Sequence, residues 1–362
     1  MTARNAPFEV TARHSLPRRG MSSSAVMVLM VGTLIIAGVI SMSIGAAGIP
    51  PGRLFAALFS AGGDGTLTAR DHLILFSIRL PRVAMASMVG ALLAAAGAIM
   101  QGLFRNPLAD PGLVGVSAGA GLAAAAMIVF GDRALQSSVM GWPFLLPVAA
   151  FFGALATTAA LYRIATWQGR TLIAIMLLAG LALGALAGAG TGLLVFLADD
   201  RQLRDITFWM LGSIAGATWP KIFAIAPFLA GLLLSTSFVG RGLDLLVLGE
   251  SEAFHMGIAV ERLKQFLIVL VAAAAGAAVS VSGVVGFVGI VVPHLLRLVI
   301  GPSHAWLLPA SACCGALLLL VADTVARTIA APAELPIGIV TAVVGAPFFL
   351  FLLLKQRSPL AL

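Results

Sequence analysis

Long apolar runs, separated by short polar breaks, dominate the chain from end to end. A helix rises 1.5 Å per residue, so about 20 apolar residues cross the hydrocarbon core of a bilayer. The pattern therefore predicts an all-α, polytopic membrane protein with about ten transmembrane helices. The predicted spans cover roughly residues 25–49, 83–103, 113–130, 143–162, 171–198, 219–239, 265–283, a short eighth ending near 300, 306–328 and 335–354.

Two of these runs carry a pattern of their own. The run from Gln265 to Pro293 has no charge, and one straight helix through it would overshoot the bilayer. We therefore predict a break near Gly283, between the seventh and eighth spans. The fifth span has a glycine every four residues, which predicts a smooth face for packing against another helix. These glycines are Gly180, Gly184, Gly188 and Gly192.

The polar breaks between the apolar runs differ in length. The break from Pro50 to Arg82 predicts a loop on the outer side, and a charged segment follows the fifth span from Asp199 to Asp205. The polar stretch from Gly240 to Lys264 predicts the longest cytoplasmic loop. Cytoplasmic loops of membrane proteins carry an excess of Arg and Lys. With ten spans, Arg and Lys are more numerous on the side of the membrane that holds the N-terminus, so we predict that this side is cytoplasmic. Both termini are then cytoplasmic.

Composition agrees with this topology. Of 362 residues, 60% are hydrophobic and only 10% are charged, whereas a soluble domain has about 25% charged residues. This excludes a soluble enzyme, a disordered chain and a disulfide scaffold. A net charge of +8 fits cytoplasmic loops beside anionic lipid better than nucleic acid. We divide the chain into a cytoplasmic tail, residues 1–24, and a single transmembrane domain, residues 25–362.

Charges inside predicted spans mark candidate functional groups. Asp323 and Arg327 lie one helical turn apart in the ninth span, so they are predicted to form an intramembrane ion pair. An ion- or proton-coupled secondary transporter is an alternative, although such a protein typically has several intramembrane carboxylates or histidines.

Enzyme and metal motifs are sparse. The chain has no phosphate-binding P-loop, and its histidines share no metal-ligand spacing, so we predict no metal and no cofactor bound by this chain. Residues 115–119 match the GxSxG pattern, which leaves an intramembrane hydrolase using Ser117 as a second alternative.

Four polar islands stand out of the apolar background, in a fixed order along the chain. They are Arg79-Leu80-Pro81-Arg82 with Gly97-Ala98-Ile99-Met100-Gln101; Arg105-Asn106-Pro107-Leu108-Ala109-Asp110-Pro111 with Gly115-Val116-Ser117-Ala118-Gly119; Leu248-Gly249-Glu250 with Ala253 and Met256-Gly257; and Gly286-Phe287-Val288-Gly289 with Pro293-His294, Asp323, Arg327 and Gly345-Ala346-Pro347-Phe348. Together they resemble the FecCD family of ABC-transporter permeases, over nearly the whole chain.

The resemblance implies a ten-span permease of the type II importer fold in the bacterial inner membrane, working as a homodimer. Its implied partners are two ABC ATPase subunits, which bind ATP and Mg, and a periplasmic substrate-binding protein. The implied substrate is haem or a ferric siderophore, with vitamin B12 as an alternative. The residues from Thr171 to Ala174 depart from the small hydroxylated gate residues of the B12-type permeases. The chain as a whole is more similar to the haem permeases.

The resemblance also implies roles for particular residues. Arg79, Arg82 and Arg327 match positions that pair with carboxylates of the docked binding protein, a role that suits the bidentate guanidinium. The segment at about 241–262 matches the coupling helices, which lie in a groove of the ATPase. Its candidate coupling residues are Leu248, Gly249, Glu250, Ala253, Met256 and Gly257.

Overall fold

The computed structural model describes residues 22–44, 68–134, 142–331 and 333–356. Most of the predicted N-terminal tail and the first part of the predicted outer loop lie outside these residues. The helices are α1 Ser23–Ser43, α2 Ala69–Leu103, α3 Val116–Ala134, α4 Trp142–Ala165, α5 Ile173–Leu197, α6 Asp200–Leu211, α7 Trp219–Leu248, α8 Glu250–His255, α9 Val260–Ser282, α10 Val288–Ile300, α11 His304–Ile329 and α12 Ile337–Gln356. A 3₁₀ turn, Pro111–Val114, and a hairpin of β1 Thr166–Trp167 with β2 Arg170–Thr171 complete them.

The predicted all-α, polytopic fold is confirmed. Within the described residues, α1, α2, α4, α5, α7, α9 and α11 are long and apolar enough to cross a membrane. Three shorter apolar helices, α3, α10 and α12, bring the number of apolar helices to the ten predicted from sequence.

Helix α2 forms the centre of the bundle and is buried along most of its length. It is rich in Ala and Gly, so the backbones of neighbouring helices approach it closely. A Cβ added to Gly90 would overlap the Gly315 carbonyl of α11, and one added to Gly97 would overlap Gly289 of α10. These two contacts hold α10 and α11 directly against α2.

The predicted break between the seventh and eighth spans is confirmed. Helix α9 ends at Ser282 and is followed by Gly283, whose φ of 67° is one that glycine adopts without a steric penalty. A Cβ there would overlap the Trp209 carbonyl, so the turn is also tightly packed. Helix α10 restarts after Phe287, itself at a φ of 68°.

Several predicted boundaries are wrong. Residues 69–82 were predicted as loop, but α2 begins at Ala69 and carries Arg79 and Arg82 on the helix. A π-helical turn at Ile74–Arg79 ends two residues before Pro81, a residue that cannot donate a helical hydrogen bond. Helix α7 likewise continues through the predicted cytoplasmic loop to Leu248.

The charged segment at 199–205 is also helical, as the start of α6. Asp199 caps this helix by accepting hydrogen bonds from the backbone of Arg201 and Gln202, and the Gln202 side-chain oxygen accepts one from the Asp199 backbone N–H. Ile206 and Gln202 face inward, while charged side chains face outward. The alternation of polar and apolar residues at helical spacing was the sequence signal for this amphipathic helix.

The predicted packing of the glycine face on α5 holds for one residue of four. A Cβ on Gly180 would overlap the Leu113 carbonyl, so this glycine does permit close packing. Nothing in the described chain lies within 4 Å of a Cβ placed on Gly184, Gly188 or Gly192, so their packing against another helix stays a prediction. That part of α5 presents an open face.

Replacing Gly90 with Ala should destabilise the bundle by about 1–3 kcal/mol, because the added methyl meets backbone rather than a movable side chain. The thermal unfolding midpoint of the detergent-purified protein measures this. Gly184→Ala is the matched control, and it should leave the midpoint unchanged or raise it. Equal midpoints for the two variants would contradict the close α2–α11 contact.

Candidate functional site

Two arginines cap the C-terminal end of α1. Arg79 of α2 donates to the carbonyls of Met42 and Ser43, the latter at 3.4 Å. Arg327 of α11 donates to the Ile44 carbonyl at 2.8 Å and to the Ser41 carbonyl. The last carbonyls of a helix lack partners within it and carry partial negative charge, so both guanidinium groups stabilise this end.

A third arginine lies beside them in a buried ion pair. Arg82 Nε donates to both carboxylate oxygens of Asp323 at 3.0 Å, and Nη2 lies 2.9 Å from Oδ1. Its Nη1 bonds Glu334 at 2.8 Å. The predicted pair of Asp323 with Arg327 is present at 3.6 Å, but Arg82 is the closer partner of Asp323. We call this end of the bundle, with Arg79, Arg82 and Arg327, the arginine end.

These contacts change the picture of the three arginines. All three are largely buried, and each bonds other residues of its own chain. Arg82 reaches the surface through Glu334, whose side chain is 44% exposed, so this pair is the part of the cluster open to an approaching carboxylate. The role in docking a binding protein stays a prediction.

The opposite end of the bundle carries α8, a six-residue helix between two glycines. Gly249, with a φ of 144°, ends α7, and Gly257, with a φ of 86°, follows α8. Leu248, Phe254 and Met256 are exposed there by 60–70%. An exposed apolar group at a polar surface is typical of a protein-binding site.

The candidate coupling residues do not all face outward. Ala253 is fully buried against the bundle. Its assignment to a partner surface is wrong, since helix α8 turns its small face inward. Gly249 and Gly257 act through the backbone turns that set the direction of α8.

Glu250, the first residue of α8, bonds a buried lysine. Lys264 of α9 is 1% exposed, and its Nζ lies 2.7 Å from Glu250 Oε2 and 3.1 Å from Glu261 Oε1. Lys264 also donates to the Thr171 carbonyl of β2 at 3.2 Å. Sequence reasoning placed Lys264 at the end of a loop and did not find this cluster.

A second cluster at the same end joins α7 to α11. Asp244 of α7 accepts a hydrogen bond from the His304 backbone at 2.8 Å, and its Oδ1 lies 2.6 Å from His304 Nδ1. Ser303 donates to the other oxygen at 3.3 Å. We call this end, with α8, Lys264 and Asp244, the coupling end.

The open face of α5 is apolar. Gly184, Gly188 and Gly192 lie along it, and Leu181 is 74% exposed on the same face. Leu172 and Ile175 continue the exposed apolar surface at the coupling end of α5. Such a face can pack against a second helix bundle or a flat apolar ligand, since three of its positions are glycines without a side chain.

The hydrolase alternative fails on geometry. A nucleophile elbow needs a strand before the serine, whereas Ser117 lies in the first turn of α3 after the 3₁₀ turn Pro111–Val114. Gly119 of the same motif packs against Gly153 of α4, so the small residues serve helix contact. In the described part of the chain, no three His, Cys, Asp or Glu residues are grouped to hold a metal ion.

Comparison with known proteins gives the same picture over most of the chain. The sequence profile of the FecCD transport family matches residues 33–355. The hemin transport system permease protein HmuU of Yersinia pestis is 44% identical over 91% of this chain and 96% of its own length. The cobalamin import system permease protein BtuC of Halobacterium salinarum is 43% identical over 80% of this chain and 76% of its own.

A solved structure shares the fold. It is described as an inward-facing conformation of a metal-chelate type ABC transporter, and it is 31% identical with a TM-score of 0.78. The match covers 92% of this chain and 99% of that one, so the likeness extends to the arginine end and the coupling end alike.

Replacing Arg82 with Gln should lower the free energy of unfolding by about 3 kcal/mol, because Asp323 is 2% exposed and would lose its closest cation. Thermal unfolding in detergent measures the change. Arg201→Gln is the matched control, since Arg201 is 78% exposed and its pair with Asp205 at 4.0 Å contributes about 0–1 kcal/mol. A loss no larger than that of the control would show that Arg82 does not stabilise Asp323.

Proposed function

The chain belongs to the FecCD transport family as the permease subunit of an ABC importer, and we propose that its substrate is haem or a ferric siderophore. It is a multi-pass protein of the inner membrane. In such importers, ATP and Mg bind to separate ATPase subunits. The permease would move its substrate from periplasm to cytoplasm by alternating access, without making or breaking a bond in it.

The 44% identity to a hemin permease over 91% of the chain is the observation that carries the substrate proposal. The structural neighbour is a transporter of the metal-chelate type, which supports an iron chelate as the wider substrate class. Vitamin B12 is the alternative, because a cobalamin permease is 43% identical over a shorter part of the chain.

The surface of α5 favours a flat apolar ligand over one recognised by hydroxyl groups. Leu172 and Ile175 are exposed where the helix begins, and Thr171 is 3% exposed with its backbone bonded at the coupling end. A haem ring could lie against Gly184 and Gly188 because no side chain would hold it away from the helix. We place the substrate path on this face, between two copies of the chain.

The proposed assembly has two copies of this permease, two ATPase subunits and one binding protein. Helix α8, with exposed Leu248, Phe254 and Met256, is the proposed contact with the ATPase. With both termini cytoplasmic, the coupling end faces the cytoplasm and the arginine end faces the periplasm. Helix α8 then faces the ATPase in the cytoplasm, and the arginine end faces the binding protein in the periplasm.

We propose that the binding protein docks at the arginine end through Arg82. The exposed Glu334 occupies Arg82 Nη1 at 2.8 Å in the free permease. A carboxylate of the binding protein would take the place of Glu334, while Asp323 would keep the other face of the guanidinium. Arg79 and Arg327 would stay bonded to the end of α1 and would attract the carboxylate through their positive charge alone.

A secondary transporter is the alternative from another class. Both oxygens of Asp323, the carboxylate inside α11, accept hydrogen bonds from Arg82, and Arg327 lies 3.6 Å away, so these arginines already occupy the carboxylate that a coupling ion would need. The two mechanisms differ in their need for ATP.

Haem, a ferric hydroxamate siderophore or vitamin B12, each with its binding protein, should be compared on the permease–ATPase complex in proteoliposomes. We expect haem or the siderophore to raise ATP hydrolysis and to enter the vesicle only with ATP. The same complex without binding protein is the control. Uptake that needs no ATP would establish secondary transport, and stimulation by vitamin B12 alone would establish the alternative substrate.

Replacing Glu334 with Gln should strengthen binding-protein affinity by about fivefold, because Arg82 loses a competing carboxylate. Surface plasmon resonance on the nanodisc-embedded complex measures the affinity, and the gain should shrink at high salt. Asp205→Asn, which removes a 57% exposed carboxylate of α6, is the matched control and should change affinity less. Unchanged or weaker binding by Glu334→Gln would contradict docking at Arg82.

A further inference from the structure

Lys264 connects three segments that the chain itself joins only loosely. Its ammonium group has three N–H donors, and the structure gives three acceptors. These are Glu250 Oε2 of α8 at 2.7 Å, Glu261 Oε1 of α9 at 3.1 Å and the Thr171 carbonyl of β2 at 3.2 Å. The group is therefore fully satisfied, although the residue is 1% exposed.

The charge of Lys264 makes these ties strong. A buried ammonium is costly unless carboxylates compensate it, and removing one partner leaves the others uncompensated. Glu250 and Glu261 supply the compensation here. The three segments are consequently held in one arrangement, because moving α8 away removes one carboxylate from the buried ammonium and moving β2 away removes its third hydrogen-bond acceptor.

The hydrogen bonds of Lys264 and Glu261 hold the residue just before α5. Glu261 Oε2 accepts a hydrogen bond from the Thr171 backbone at 3.0 Å, so Thr171 is held at both its N–H and its carbonyl. Thr171 pairs with Thr166 in the β1–β2 hairpin, and Leu172 donates to the Ala165 carbonyl at 2.9 Å. Helix α5 begins at Ile173, two residues beyond the held position.

The backbone route from α8 is weaker. Gly257, with a φ of 86°, follows α8, and nothing lies within 4 Å of a Cβ placed on it. Gly249 precedes α8 with a φ of 144°. A short helix with a glycine at each end turns easily. A displacement of α8 is therefore transmitted poorly to the rest of the bundle through the covalent chain alone. A side-chain tie from Glu250 transmits it directly.

From this geometry we propose that Lys264 is a positioning residue that passes movement of α8 to α5 through Glu250, Glu261 and the β1–β2 hairpin. The inference rests on the proposed function, since it takes α8 as the contact with the ATPase and α5 as the wall of the substrate path. It assigns a mechanical role to a residue that touches neither substrate nor nucleotide.

The test measures movement of α5 in the assembled permease–ATPase complex in nanodiscs. Cys313→Ala and Cys314→Ala remove the native thiols, and Leu178→Cys places a spin label on the exposed surface of α5. Pulsed electron resonance then reports the distance between the labels of the two copies, without nucleotide and after trapping with ATP and vanadate. ATP hydrolysis is measured on the same samples.

Lys264→Met should abolish most of the nucleotide-dependent distance change, while ATP hydrolysis stays within about twofold of wild type. The ratio of distance change to ATP hydrolysis should therefore fall about tenfold. Arg262→Met is the matched control, because Arg262 is an exposed cation two residues away with no ion pair in the described structure. It should behave as wild type. A purely structural role would instead lower the unfolding midpoint and ATP hydrolysis together.

Should Lys264→Met not assemble, Glu250→Gln provides the same test, since Lys264 keeps Glu261 and Thr171 as partners. A full distance change in the assembling variant would overturn the role of Lys264. A wild-type complex whose labels do not move with nucleotide would instead overturn the proposed function, so the two failures are distinguishable.

Discussion

A charged side chain inside this bundle has to find its partner within the bundle, because lipid offers none. The chain has few charges, and the buried ones join helices that are distant in sequence. Arg82 joins α2 to α11 through Asp323, and Lys264 joins α8 and α9 to the hairpin before α5. The apolar helices supply the volume of the fold, while these ionic contacts fix which helix ends lie together.

The ionic contacts divide the molecule into two ends with a closely packed middle. Between the ends, Gly90 and Gly97 bring α2 against the backbones of α11 and α10. Backbone contacts of this kind leave little room for adjustment, so α2, α10 and α11 form one closely packed unit. Helix α5 differs, because three of its four spaced glycines touch nothing in the described chain. The structure thus combines a rigid centre with a less constrained wall.

Apolar runs and their lengths were enough to predict the ten apolar helices and the break at Gly283, because lipid thickness limits the length of a span. Helix ends were harder to predict, since α2 includes Arg79 and Arg82 and α7 includes Asp244, charged residues whose partners lie on other helices. The pairing of Arg82 with Asp323, 241 residues apart, could not be read from spacing. Sequence reasoning found the nearer partner, Arg327, because helical periodicity reports only contacts along one helix.

The capping of α1 has a consequence for synthesis of the protein. Helix α1 is translated long before α11, yet the Ser41 and Ile44 carbonyls at its end are bonded by Arg327, which follows Ile44 by 283 residues. Arg79 of α2 bonds the neighbouring Met42 and Ser43 carbonyls and is translated much earlier, so the cap of α1 is completed only when α11 is in place. An early helix is therefore anchored by a late one, and truncated chains that lack α11 would carry an α1 without its final anchor.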